Sequence, residues 1–294
     1  MIQCRQTFQG HNSFINAVAF SHDSKLLVSG SYDATIKLWN TTTGQCQQTL
    51  QGHSSYVFSV VFSHDLKLLV SGSGDKTIKL WNIATGQCQQ TLQGHSNYIY
   101  SVAFSHDSKL LASGSYDKTI KLWNITTGQC QQTLQGHSNY IYSVAFSHDS
   151  KLLASGSQDN TIKLWNITTG QCQRTLQGHG DCVYSVAFSY DSKLLASGLH
   201  NNTIKLWNIT TGQCQQILQG HSSYIVSVVF SHDSKLLASG SGDSTIKLWN
   251  ITTGQCQQTL QGHSNYVRAV AFSHDSKLLA SGSADNTIKL WNVV

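Results

Sequence analysis

Between residues 56 and 62 the chain reads Tyr-Val-Phe-Ser-Val-Val-Phe, an apolar run rich in β-branched and aromatic side chains. It then turns polar through Ser63-His64-Asp65-Leu66-Lys67. Leu68-Leu69-Val70-Ser71-Gly72-Ser73 forms a second such segment, closed by a tight Gly74-Asp75-Lys76 turn, and Thr77-Ile78-Lys79-Leu80-Trp81 forms a third. Asn82-Ile83-Ala84-Thr85-Gly86 consists of residues that hydrogen-bond locally or accept positive φ. Cys88-Gln89-Gln90-Thr91-Leu92 is the last and most polar segment. The pattern predicts four short strands, with the polar fourth outermost, and carries no helical period.

The same 42-residue pattern recurs seven times and accounts for all 294 residues. Gly-His stands at Gly10-His11, Gly52-His53, Gly94-His95, Gly136-His137, Gly178-His179, Gly220-His221 and Gly262-His263, and Trp39-Asn40 through Trp291-Asn292 keep the same step. A unit of this kind cannot bury its apolar surface alone, whereas stacked neighbours can. Four antiparallel strands per unit and seven units predict an all-β fold, a seven-bladed β-propeller. A single domain over residues 1–294 is expected, with no linker.

Gly-His followed by Ser-Gly-Ser-x-Asp-x-Thr-Ile-Lys-Leu-Trp closely resembles the WD40 repeat, and the match covers the whole chain. One departure is systematic: the family's Trp-Asp is Trp-Asn in every copy, which keeps a turn-forming side chain and removes seven negative charges. The resemblance implies that residues 2–9, which align with the outer strand of the other repeats, complete the blade formed by 263–294. It also implies a hydrogen-bonded tetrad in each blade, for example His53, Ser71, Asp75 and Trp81. Ser, His and Asp together suggest a hydrolase triad as well. Seven copies of one catalytic site in a chain are implausible, so no catalytic residue is expected.

Charged residues make up only 11% of the chain, which contains no Pro and no Glu, and net charge is +5. Of the 19 basic residues, 14 fall in two sevenfold rings, at the Lys25 and Lys37 positions, rather than in a patch; nucleic acid is not an expected partner. Seven of the eight cysteines (Cys4, Cys46, Cys88, Cys130, Cys172, Cys214, Cys256) share one repeat position. Stacked sheets hold such positions about 10 Å or more apart, too far for a disulfide. They are expected to be small buried hydrophobes in a reducing compartment. No signal peptide or membrane-spanning stretch is visible, so the expected location is cytoplasmic. His22, His64, His106, His148, His232 and His274 lie one per blade in Ser-His-Asp turns, a distribution not expected to assemble a metal site. No metal or cofactor is expected.

Function is sought where the copies disagree. The third and fourth repeats differ at three positions only, Tyr116/Gln158, Lys118/Asn160 and Gln132/Arg174. The strongest variation lies just after Gly-His and beside the turn Asp. One column reads Asn16, Phe58, Tyr100, Tyr142, Tyr184, Val226, Arg268, and a second reads Tyr32, Gly74, Tyr116, Gln158, His200, Gly242, Ala284. A third, mostly aromatic, reads Phe14, Tyr56, Tyr98, Tyr140, Cys182, Tyr224, Tyr266. In a four-stranded blade these columns belong at one end, and all three are expected to ring one face of the disc. Aromatic residues and Arg are enriched at interface hot spots. Repeat five departs furthest, with Gly180-Asp181-Cys182, Tyr190 for the usual His, and Leu199-His200-Asn201 where other copies have Ser-x-Asp. Its tetrad loses the carboxylate, and Cys182, Tyr184 and His200 are expected to cluster.

These features predict a non-catalytic scaffold or sensing domain that binds a protein or peptide through the variable aromatic face. Near-identical repeats with variation confined to a few face positions resemble the C-terminal WD40 recognition domains of fungal NOD-like receptors and bacterial signalling ATPases. On that resemblance the chain is expected to be a monomeric propeller excised from a larger protein or free-standing. A lectin-like propeller for glycans or small molecules, and an engineered or structural propeller without a dedicated ligand, are the competing readings.

Overall fold

Hydrogen bonding across each repeat follows the strand pattern of the sequence. The computed structural model describes residues 3–293. In it Ile15–Phe20, Leu26–Ser31, Ile36–Asn40 and Cys46–Leu50 pair in that order as the first antiparallel blade. Five more four-stranded sheets repeat this order. The seventh sheet takes Val267–Phe272, Leu278–Ser283 and Thr287–Asn292 from the end of the chain and Cys4–Gln9 from its start. Gln6 sits opposite Leu290 and Gln9 opposite Thr287, so the ring closes as the repeat phase predicts. Ile2 and Val294 lie outside the described residues.

The core lies between blades rather than within them. One cluster joins Val28, Ile36, Leu38 and Leu50 of blade one to Val57, Val60, Leu69 and Trp81 of blade two, and the clusters that follow step round the ring in the same way. At the closure Phe8, from the N-terminal strand, is 2% exposed and packs with Trp39 of blade one and Ile288 and Leu290 of blade seven. The glycine of each Ser-Gly-Ser has a direct cause. A Cβ on Gly30 would meet Val57 Cγ1 of the next blade at 2.7 Å, inside any real contact.

The ends of the blades are distinct. Tyr32 N donates to Phe14 O at 2.9 Å, which places the loop before the first strand and the turn between the second and third at one end. Thr41 N donates to Lys25 O at 3.0 Å, which gathers the Ser-His-Asp-Ser-Lys turns at the other. There the lysine ring is matched by a carboxylate ring. Six of its seven lysines approach the Asp two residues earlier at 3.7–3.9 Å, and such exposed pairs add little stability.

The cysteine ring corrects the sequence reading. All seven are free but exposed. Each opens an outermost strand, at a bulge opposite the tetrad Trp, where no further blade covers it. Cys46 Sγ instead contacts the Gln48 carbonyl at 3.4 Å. No helix among the described residues is long and apolar enough to cross a membrane.

Candidate functional site

The tetrad is the first chemistry built by each blade. In blade two, Trp81 Nε1 donates to Ser71 Oγ at 2.8 Å, His53 Nε2 lies 2.7 Å from the same oxygen, and His53 Nδ1 lies 2.7 Å from Asp75 Oδ2. Every atom is satisfied when Nδ1–H donates to the carboxylate and the serine hydroxyl donates to Nε2. Partial burial works against the charge on Asp75. Hydrogen bonds from His53 and Thr77 outweigh it and hold the carboxyl well below its usual range. Connectivity is that of a hydrolase triad, yet Ser71 is fully buried and its oxygen already accepts the indole N–H. The hydroxyl has no access to a substrate.

Blade five breaks this network more deeply than the sequence suggests. Asn201 replaces the carboxylate and keeps its local duty, accepting from the Thr203 hydroxyl at 2.7 Å. His179 is 1% exposed, and neither ring nitrogen has a partner. Burial, with Lys205 nearby, pulls it down to about 4. Its ring slides over Trp207, with centroids 4.6 Å apart against 6.0–6.4 Å in the other blades. A second substitution, unremarked in the sequence reading, contributes. Ile217 stands where other copies have the Thr that accepts from the Lys37-type amine, as Thr49 does. Lys205 Nζ turns instead to the Gly178 carbonyl.

The three variable columns do share one end, and they meet there. Asn16, Phe58, Tyr100, Tyr142, Tyr184, Val226 and Arg268 line the mouth of the central channel. Phe14, Tyr56, Tyr98 and Tyr266 stand outside them, 38–44% exposed, while Tyr140, Cys182 and Tyr224 are half-buried. Members of the second column bridge the other two. Tyr32 stacks on Tyr56 at 4.3 Å, Tyr116 on Tyr140 at 4.4 Å, and Tyr116 on Tyr100 at 5.3 Å. Gln158 is half-buried in the fourth blade's copy of that turn. In blade five the His200 ring lies 5.8 Å from Tyr184, its Nδ1–H donates to Asp181 Oδ2 at 3.0 Å and its backbone N–H donates to Cys182 O, so His200 sits with Tyr184 and Cys182.

From Tyr32 round to Tyr266 successive rings stay within 6.2 Å, and Arg268 closes the circuit by lying over Tyr32 at 5.2 Å. Tyr100, Tyr116, Tyr142, Tyr184, Tyr224 and Tyr266 enclose a cavity of about 230 Å³ with Val226 and Arg268. Burial raises the Tyr100 phenol to about 12 and pushes Tyr116 and Tyr184 up as well, so these hydroxyls remain neutral donors. Arg268 Nε and Asn16 Oδ1 are buried beside the channel without partners.

Seven segments, 2–40, 44–82, 86–124, 128–166, 170–208, 212–250 and 254–292, match the model of the WD40 family, described as WD domain, G-beta repeat. The chain belongs to the WD40 family. Individual WD40 repeats resemble segments of curated proteins. One segment is 52% identical over 41 residues to vegetative incompatibility protein HET-E-1 of Podospora anserina, covering 14% of this chain and 3% of that protein. Another is 42% identical over 43 residues to pre-mRNA-processing factor 17 of Saccharomyces cerevisiae, covering 15% of this chain and 10% of that protein. A third is 38% identical over 42 residues to small ribosomal subunit protein RACK1 of Dictyostelium discoideum, covering 14% of this chain and 13% of that protein. The matched segments are thus single WD40 repeats, a small part of each relative.

Two features of this WD40 channel escaped the sequence reading. Ser59, Ser101, Ser143, Ser185 and Ser227 line it and stitch adjacent blades, as where Val102 N donates to Ser59 Oγ at 3.1 Å. Their signal was a Ser held in five copies between a variable position and a Val present in all seven. At the far mouth the six turn histidines, one per blade, converge, a proximity that the sequence reading did not draw. Even so, no three His, Cys, Asp or Glu side chains among the described residues are arranged to hold a metal ion.

Proposed function

We propose that the chain is a non-catalytic recognition propeller that holds a protein or peptide segment on its tyrosine-lined face. The observation that carries this reading is the convergence of the three variable columns on one aromatic surface around a single axial cavity. Large, rigid aromatic side chains give contact area at low entropic cost. Arg268, the one cation among the cavity's lining residues and with an unpartnered Nε, favours a segment that inserts an acidic side chain. A lectin with one pocket per blade fits less well, because the cavity is shared by blades rather than repeated in each. The reading extends to a sensor domain within a larger protein, in keeping with the repeat-level likeness to the vegetative incompatibility protein HET-E-1, and we propose that it acts in the cytoplasm as a single propeller.

Selection of displayed peptides on the immobilised propeller tests the reading, with a Tyr100→Ala/Tyr142→Ala/Arg268→Ala variant as counter-target. Acidic peptides enriched on the parent and lost on the variant are expected. Peptides that bind both equally, or that are lost only when the Lys25-type turns are changed, would place recognition elsewhere.

A further inference from the structure

Opposite the tyrosine-lined mouth the channel ends in a second circle of rings. Six are histidines, one from each Ser-His-Asp turn, and Tyr190 takes the seventh place in blade five. Going round from His22, successive centroids are 5.9, 4.5, 4.2, 5.6, 3.9, 3.9 and 3.8 Å apart, so the circle is closed. It rims a cavity of about 300 Å³ walled below by phenylalanines such as Phe62 and Phe104.

The serines and aspartates of these turns have structural tasks. The Ser21 hydroxyl donates to Asp23 at 2.7 Å and accepts Leu26 N–H at 2.9 Å; Asp23 accepts Lys25 N–H at 3.1 Å; Ser24 Oγ accepts His274 N–H from the adjacent blade at 3.1 Å. The imidazoles have no hydrogen-bond partner among the described residues, and Nδ1 of His232 is buried without one. Packing does not require histidine either, since Tyr190 stacks on His232 at 3.9 Å in the same position. Six basic rings in mutual contact therefore need another reason.

The surrounding charges decide what would sit there. The turn carboxylates are taken up by their own serines and, in six turns, approached by their lysines; Asp149 favours charge on His148, and Asp275 favours it on His274 and His232. Burial first, then the neighbouring imidazoles, depress His64 and also His232, the latter to about 4. Burial raises the Tyr190 phenol to about 12, leaving it a neutral donor. A metal ion needs ring nitrogens aimed at one point, which these packed rings do not offer. An anion on the axis needs only N–H donors around it, and it stabilises each proton the ring takes up. Several protons call for more than one negative charge.

We propose that the histidine-ringed mouth is a proton-gated site for a compact multivalent anion of the phosphate type, held by imidazolium N–H groups from several blades and by the Tyr190 hydroxyl. Inorganic pyrophosphate is the probe. Calorimetry should find one equivalent bound per chain at pH 5.5 and at least tenfold weaker binding at pH 7.5. NMR of the imidazole Cε1–H signals should show their titration midpoints moving up when pyrophosphate is added. A His148→Gln/His232→Gln/His274→Gln variant should lose binding with its melting temperature retained, and if that variant misfolds the NMR titration of the unaltered chain decides. Sedimentation with vesicles bearing phosphomonoester headgroups identifies the source. Binding competed away by pyrophosphate assigns a lipid headgroup, and pyrophosphate binding without vesicle binding assigns a free phosphate. Pyrophosphate affinity that ignores pH, midpoints unmoved at saturation, or Zn²⁺ binding to the same rings at pH 7.5 without any pyrophosphate binding would overturn the proposal.

Discussion

At the residue scale the repeat acts as its own control. Six blades show what a satisfied tetrad looks like, and blade five shows the cost of losing one carboxylate. Removing His95 by His95→Ala strands a buried indole–serine–carboxylate chain, so a loss of about 1–3 kcal/mol is expected in urea denaturation. Asn201→Asp should do the reverse, gaining roughly 1–2 kcal/mol by giving the orphaned His179 a charged acceptor. A neutral or destabilising result would mean that the slide of His179 over Trp207, not the missing carboxylate, governs the blade. The tetrad was legible in sequence because four residue types kept fixed spacing. The histidine circle was not, because a linear sequence places His22 and His274 at opposite ends of the chain, and only ring closure puts them 3.8 Å apart.

At the scale of the strand and blade, boundaries followed from turn residues and apolar runs almost directly, including the polar outer strand. The burial of individual positions did not. Cysteine is usually an interior residue, but here each opens an edge strand with nothing outside it, so position prevailed over composition. Blade five has lost the His–Ser and His–Asp bonds and the Lys–Thr contact together. Its amides, for example those of Thr203–Asn208, should exchange with deuterium faster than those of the matching strand Ile162–Asn166 in blade four. Equal protection in both would contradict a locally weakened blade.

At the scale of the whole molecule, seven inter-blade cores make closure the decisive contact. Phe8→Ala opens a cavity against Trp39 and Ile288 and should cost about 3–5 kcal/mol, a disproportionate loss for a residue so near the terminus. Acid should weaken the ring in two stages. His64, His148, His179, His232 and His274 resist protonation in the folded state, while the unfolded chain takes up protons below pH 6.5. Stability therefore falls from that pH down to about 4, the value of His179 and His232. The tetrad carboxylates, such as Asp75 and Asp117, are held low, so their contribution is present above 3.8 and is lost as pH falls further. Melting temperatures between pH 7.5 and 3 check both stages, and pyrophosphate should raise the value at pH 5.5.

The central claim is that variation among the repeats marks a recognition surface, and one titration tests it most directly. A display-selected acidic peptide is titrated at pH 7.5 against the parent propeller, Tyr142→Ala, Arg268→Ala and His106→Gln/His148→Gln. The account predicts at least tenfold weaker binding to each of the two face variants and unchanged binding to the histidine variant. Full affinity on both face variants would contradict it.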